Sequence, residues 1–406
     1  MKRTASNLPE FPHAKGLLVQ EERLEFVKKN KQLVIGIPKE ADSTESRIPL
    51  TPEAVEMLVE GGHEIIIEKD AGKQANYNDL DYSEKGGRIV TSSQEVYRSD
   101  IVLKVAPLIP SEFELVRDNQ IIMSSLHLNS STGDYLRKLI QKKVTAIAFE
   151  SICDSDGSFP FIRAMSSIAG STSVLVAAEY LSNVNKGKGV MLGGITGISP
   201  TEVVILGAGT AAEFAARAAL GLGATVKVFD NSIKRLMELQ NLLGQRLYTS
   251  IFHPQVLARV LKTADVVIGT LTPEESNLRF VVSEEMVMNM KHGSVIVDLA
   301  IDKGGCFETS EIRDHNNPSF EKYGVVHYCV PNITSRVART ASIAMSNVFA
   351  PLLLSIGEAG GFQHQLKEDS GLRHGVYVFN GILTNDYLGR LYNLPSRDIN
   401  LLMAAF

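Results

Sequence analysis

The chain has 406 residues, more than one ordinary hydrophobic core supports, so two domains are expected. Its mean hydropathy lies near zero, which argues against disorder and against residence in a membrane, and a formal net charge of −5 leaves no basic stripe for nucleic acid. Cys153, Cys306 and Cys329 are odd in number and lack paired spacing, so they read as reduced thiols, with no disulfide frame and no metal site expected.

Residues 1–32 read as an N-terminal extension, in which Pro9, Pro12 and Gly16 precede a charged helical stretch. The apolar run Gly16-Leu17-Leu18-Val19 is too short for a signal-peptide core, so a soluble cytoplasmic protein is expected. Apolar, β-branched runs at 33–37, 64–67, 101–105, 121–124 and 144–149 have strand length. Helical patterns lie between them, one opening at Thr51-Pro52-Glu53 and stopping at Gly61-Gly62. Such alternation predicts a largely parallel sheet covered on both faces. The apolar stretch 164–184 is broken by serines, a threonine, a glycine and Glu179, and reads as a buried helix and not a membrane span.

Six further strands are expected at 203–206, 226–229, 246–249, 266–269, 294–297 and 325–330, with helices at 211–222, 233–243, 254–263 and 284–290. Six is the strand count of a complete dinucleotide-binding sheet. A second long helix of small residues at 337–356 carries the chain back, so that 357–406 rejoin the first domain. The fold class expected is therefore α/β with two doubly wound domains. A Rossmann domain with its linking helices, 164–339, is inserted into a discontinuous substrate domain, 33–163 and 340–406, and cofactor and substrate meet in the cleft between them.

The first of these six strands runs into Gly207-Ala208-Gly209-Thr210-Ala211-Ala212. Gly207 permits a tight turn, Gly209 lets a pyrophosphate approach the backbone, and Ala212 permits close helix–strand packing. The helix N-terminus that follows offers free N–H groups to phosphates. Asp230 stands roughly 20 residues on, where an acid accepts the adenosine-ribose hydroxyls. Its carboxylate would repel a 2′-phosphate, which favours NAD as cofactor, while Lys234 and Arg235 partly offset that repulsion.

From Leu33 onward the chain resembles the alanine dehydrogenase and transhydrogenase N-terminal family. The likeness is carried by Ile35-Gly36-Ile37-Pro38-Lys39-Glu40, Arg47-Ile48-Pro49-Leu50-Thr51-Pro52, Val102-Leu103-Lys104-Val105, Met165-Ser166-Ser167-Ile168-Ala169-Gly170 and Leu192-Gly193-Gly194. It continues through Val297-Asp298-Leu299-Ala300-Ile301-Asp302-Lys303-Gly304-Gly305-Cys306-Phe307-Glu308. Two positions separate the family's chemistries. The dehydrogenases resemble this chain at Leu126-His127-Leu128 and at Asp302, whereas transhydrogenase subunits lack the histidine and have glutamine in place of the aspartate. The resemblance thus implies an NAD-dependent dehydrogenase acting on alanine, pyruvate and ammonia, in a homo-oligomer that is often a hexamer, with neither nucleic acid nor membrane as partner. Its alternatives are a soluble nucleotide-binding subunit of a transhydrogenase-like assembly and a dehydrogenase of another amino acid.

The residues themselves suit that chemistry. Arg47 can grip a substrate carboxylate with two hydrogen bonds, and Lys104 offers a compact charge to the carboxylate and carbonyl oxygen. His127 titrates in the range needed to move protons while water attacks an imine, and Asp302 can hold the water or the ammonium. Singly, Arg47 and Lys104 are ordinary surface charges, His127 an ordinary core histidine, and Asp302 a turn cap with Asp298 as rival; the joint family match is what singles them out. Asn332 follows the sixth strand and resembles the family's nicotinamide-side loop. Two departures adjoin the site. Lys104-Val105-Ala106-Pro107 stands where the family often has Lys-Val-Lys-Glu-Pro, and 270–276 replace a loop that usually contains Pro-Gly and Ala-Pro.

Overall fold

The computed structural model describes residues 31–42, 44–126, 132–185, 187–271 and 280–404, and each expected apolar run becomes a strand in it. The first six are β1 (Val34–Ile37), β2 (Glu64–Glu68), β3 (Arg88–Val90), β4 (Ile101–Leu103), β5 (Ile121–Ser124) and β6 (Thr145–Ala148). The next seven are β7 (Glu202–Leu206), β8 (Thr225–Phe229), β9 (Tyr248–Ser250), β10 (Val266–Gly269), β11 (Val295–Asp298), β12 (Ser319–Lys322) and β13 (Val325–Tyr328). A late pair, β14 (Val376–Phe379) and β15 (Ile382–Leu383), closes the series.

These strands form two sheets, ordered β15-β14-β6-β5-β4-β1-β2-β3 and β12-β13-β11-β10-β7-β8-β9. In each sheet six strands run parallel, and both parallel parts follow the doubly wound order, third-second-first-fourth-fifth-sixth. Each sheet therefore has a switch point, between β1 and β4 in the first and between β7 and β10 in the second. Helices leave the sheet in opposite directions there, which opens a crevice at the carboxyl ends of those strands. β14 adds antiparallel to β6, so the late segment does return to the first sheet, as expected.

Four strands have no counterpart among the expected elements: β3, β12, β14 and β15. All belong to sheet margins. The edge strands β3 and β12 keep one side in water and need no continuous apolar run; β12 reads Ser-Phe-Glu-Lys and is nowhere fully buried, whereas β14 is buried throughout.

Two long helices connect the sheets. The helix Pro160–Leu181 starts on Pro160, whose missing N–H costs nothing in a first turn, and Ala338–Glu358 brings the chain back. Each is long and apolar enough to cross a membrane by length and composition, and each lays a buried stripe on a core. Val174, Val176, Ala177 and Leu181 join the core of the second sheet, and Met345, Phe349, Leu353 and Ile356 that of the first. Gly170 sets the closest approach: a Cβ there would lie 2.2 Å from the Ala211 carbonyl oxygen, so only glycine lets this helix reach the start of the next one, Thr210–Gly221. The expected helix after Thr51 is Pro52–Glu60, capped by the Thr51 hydroxyl accepting from the Ala54 N–H.

Candidate active site at two switch points

On the second sheet, β7 ends in the glycine turn. Gly207 has φ +114°, and a Cβ on it would lie 2.3 Å from Thr270 Oγ, so the turn excludes any side chain. Gly209 is the N-cap of the helix Thr210–Gly221, and a Cβ there would meet nothing within 4 Å. Packing thus explains Gly207 but not Gly209, whose open face is the space a pyrophosphate needs above the helix N-terminus. Ala212 is fully buried, as the close-packing expectation requires. Asp230, at the end of β8, is also buried and accepts from the Ala208 N–H at 2.8 Å and the Ser232 N–H at 2.7 Å. It braces the glycine turn. Arg235 is exposed in the first turn of the helix Ile233–Leu243, where Ser232 caps its N–H. This donor set fits a dinucleotide.

On the first sheet the switch point holds Lys104 and, unanticipated from sequence, two acids. Lys104 is 1% exposed, and its ammonium donates to both Glu112 oxygens at 2.8 Å and lies 3.5 Å from Glu40. Lys104 is therefore not the ordinary surface charge it would be if taken singly: burial without a partner would cost roughly several kcal/mol, and the fold supplies counter-ions. Glu40 also accepts the Val105 N–H. Burial pushes the Glu40 carboxyl up to about 7, Lys104 pulls it down, and Glu45 and Glu112 push it further up.

The folded value of Glu40 lies above the unfolded value of 4.5, so stability from this group is full below pH 4.5 and is lost as pH rises through about 7. Glu40→Gln, which can keep the Val105 contact, should therefore gain on the unmodified protein as pH rises from 4.5 to 8. Paired thermal melts across that range check it; a constant difference would contradict a protonated Glu40.

Arg47, on the segment between β1 and the helix Pro52–Glu60, packs against the turn that follows β13. Its Nε and Nη2 donate to Glu45 at 2.7 and 2.6 Å, and its Nη1 donates to Thr334 Oγ at 3.0 Å, with Met165 Sδ at 3.4 Å. Glu45 also accepts from Ser335 Oγ at 2.9 Å and from Asn332 Nδ2 at 3.0 Å. Burial raises the Glu45 carboxyl, but the charge and hydrogen bonds of Arg47 more than offset it and hold the group below its ordinary value. Arg47, expected on the substrate side, and Asn332, expected on the nicotinamide side, thus meet through one glutamate. Asn332 itself takes a left-handed conformation, φ 60°, as N-cap of the turn Ile333–Val337. Glu45 was missed because an acid two residues before an arginine is common; its partners lie nearly 290 residues away.

After β11 the two aspartates separate in role. Asp298 is buried and accepts from Ala300 N–H, Cys306 N–H and Ser310 Oγ, at 3.1, 2.9 and 2.7 Å. Burial lifts its carboxyl to about 6 despite those donors. It ties the loop together internally. Asp302 stands exposed on the single turn Ile301–Lys303. Cys306 is buried, with its thiol donating to the Leu271 carbonyl at 3.0 Å, consistent with a packing residue. His127 lies outside the described residues. Just before it, the Leu126 N–H donates to Glu150 at 2.7 Å, a brace that no sequence feature announced.

The Alanine dehydrogenase/PNT N-terminal domain matches residues 36–169, and the Alanine dehydrogenase/PNT C-terminal domain matches 173–386. The chain is 39% identical over 368 residues to the alanine dehydrogenase of Staphylococcus saprophyticus, covering 90% of this chain and 99% of that protein. It is 38% identical over 365 residues to that of Methanococcus maripaludis, covering 89% and 97%. A solved L-alanine dehydrogenase superposes with a TM-score of 0.82 at 35% identity, over 89% of this chain and 99% of that one. A transhydrogenase from Sinorhizobium meliloti, at 21% identity and TM-score 0.74 over 87% of this chain and 99% of its own, shares the fold. Matched along both domains and 39% identical to a relative whose length it covers almost completely, the chain belongs to the alanine dehydrogenase/PNT family.

Proposed function

We propose that the chain catalyses the reversible, NAD-dependent oxidative deamination of L-alanine, in which alanine, water and NAD⁺ give pyruvate, ammonium, NADH and a proton. The observation that carries this reading is the likeness, over nine-tenths of the chain, to proteins named alanine dehydrogenase. Residues 33–163 with 340–406 hold the substrate and 164–339 hold the cofactor, while 1–32 are an extension outside this division. The enzyme works in the cytoplasm as a homo-oligomer.

Gly207, Gly209 and the following helix N-terminus receive the pyrophosphate, Asp230 the adenosine ribose, with Arg235 beside it, and Asn332 borders the nicotinamide end. When bound, NAD supplies the hydride acceptor. Arg47 orients the substrate carboxylate with the edge that faces Thr334, and Lys104 is the second cation assigned to the substrate's carboxylate and carbonyl oxygen. His127 moves the protons as water adds to the imine carbon, and Asp302 holds that water or the departing ammonium. The test is NADH oxidation on adding pyruvate and ammonium, repeated with a panel of 2-oxo acids. Turnover that prefers a larger oxo acid would reassign the substrate. None with any oxo acid, together with tight NADH binding, would favour a nucleotide-binding subunit.

The cofactor assignment makes its own prediction. NADH should bind more tightly than NADPH, and Asp230→Ala should reduce that preference. Because Asp230 also braces the Ala208 N–H, the variant should weaken both cofactors, NADH by roughly 10–100-fold, the range for a lost hydrogen bond to a charged group. Fluorescence titration checks this; equal affinities in the unmodified protein would hand control of the ribose end to Lys234 or Arg235.

A further inference from the structure

Glu45 joins residues assigned to the substrate half and to the cofactor half of the molecule through its two oxygens. It is 3% exposed, and its two oxygens receive the Arg47 backbone N–H, Arg47 Nε and Nη2, Ser335 Oγ and Asn332 Nδ2, all between 2.6 and 3.0 Å. The Ser46 N–H adds a contact to Ser335 Oγ at 3.1 Å, and Thr334 Oγ bridges Arg47 Nη1 and Asn332 Oδ1, each at 3.0 Å. An arginine fork has two bidentate edges. Glu45 takes the Nε–Nη2 edge, which leaves the Nη1 edge turned to Thr334 on the other domain's loop.

Two consequences follow from this geometry. Arg47 cannot rotate without breaking charge-assisted bonds to a desolvated carboxylate, so its remaining edge is aimed before any substrate arrives. The amide of Asn332 is held by the same carboxylate, so a shift of Arg47 is felt directly at the loop that follows β13.

We infer that Glu45 is a positioning residue that holds Arg47 and Asn332 in a single network and thereby couples the oxo-acid site to the dinucleotide site. The inference rests on the dehydrogenase reading for the identity of the two ligands, and its test is separable from that reading. In the full-length protein, pyruvate binding is measured by calorimetry on the NADH-loaded form without ammonium, so that no turnover occurs, and NADH affinity is measured by fluorescence.

Glu45→Gln keeps the shape but loses the charge and turns one acceptor into a donor. It should weaken pyruvate by roughly 30-fold, the low end for removing one partner of a buried, hydrogen-bonded charge pair. It should weaken NADH by about fivefold, one ordinary hydrogen bond. Arg47→Lys, which disturbs the same network, should weaken pyruvate strongly and NADH by a smaller factor. A residue that merely supports the fold would lower the melting temperature and leave both affinities of the folded protein unchanged.

If Glu45→Gln does not fold, Ser335→Ala removes one donor from Glu45 while keeping the ion pair, and should weaken both ligands in the same direction by less. A change in pyruvate affinity alone, in NADH affinity alone, or in neither would overturn the coupling. Absence of pyruvate binding in the unmodified protein would instead refute the substrate reading. The NADH titration would then still decide the link, since an unchanged NADH affinity in Glu45→Gln removes it.

Discussion

Lys104→Ala should cost about 3–5 kcal/mol of folding stability, the usual penalty for removing one partner of a buried ion pair. The reason is what it leaves behind. Glu112 and Glu40 stay enclosed beside the switch point of the first sheet, with the ammonium that both faced now gone. Denaturant unfolding of the variant beside the unmodified protein measures the loss. The variant Lys104→Met combined with Glu112→Leu should recover much of it, because replacing a buried pair by apolar groups of similar volume is often neutral or stabilising. Above pH 7 the loss should deepen, since without the Lys104 charge that lowers it the Glu40 carboxyl is pushed further up and the fold must hold it against release of its proton. Unchanged unfolding together with a sharply raised pyruvate requirement would mean that the Lys104 charge is open to substrate and that Glu112 is a weak partner.

His127→Ala should lower turnover by about 10²–10⁴-fold, the contribution usual for a positioned acid–base group. Oxidation of an amine leaves an imine, and water cannot add to it and expel ammonium without several proton transfers. An imidazole titrating near neutrality is suited to them. NADH affinity should barely change, because His127 belongs to neither the glycine turn nor the loop around Asn332. Asp302→Asn should lower turnover and also weaken NADH, since it follows β11 on the cofactor sheet. Asp298→Asn makes the informative contrast: with its carboxylate enclosed by three donors of its own loop, the change should appear first as lost stability. Steady-state rates with pyruvate, ammonium and NADH, set beside melts of the three variants, separate these outcomes. Substantial ammonium-dependent turnover in His127→Ala would remove the histidine from the mechanism.

The central parallel strands were legible in the chain because burial on both faces demands an unbroken apolar, β-branched run, as in Glu202–Leu206 and Val266–Gly269. The glycine turn was legible for a different reason. Its conformation and the close approach of Thr270 admit no side chain at Gly207, so the constraint is written at a single position. Margins were not legible. Arg88–Val90 and Ser319–Lys322 are half in water and carry no such run, and Val376–Phe379 is a short apolar stretch that suits a helix as well as a strand until β6 lies beside it.

Least legible was the state of the charges. Arg47 and Lys104 stand out in sequence as cations in a specific pattern, but whether a cation is free or paired depends on which acids the fold delivers to it. Glu45 reaches Asn332 and Ser335 across 287 and 290 residues, and Glu112 reaches Lys104 only because the turn after β4 folds back on that strand. Backbone form is dictated by neighbours in the chain, whereas the desolvation that makes a buried charge require a partner is created only when the two sheets and their connecting helices close around it.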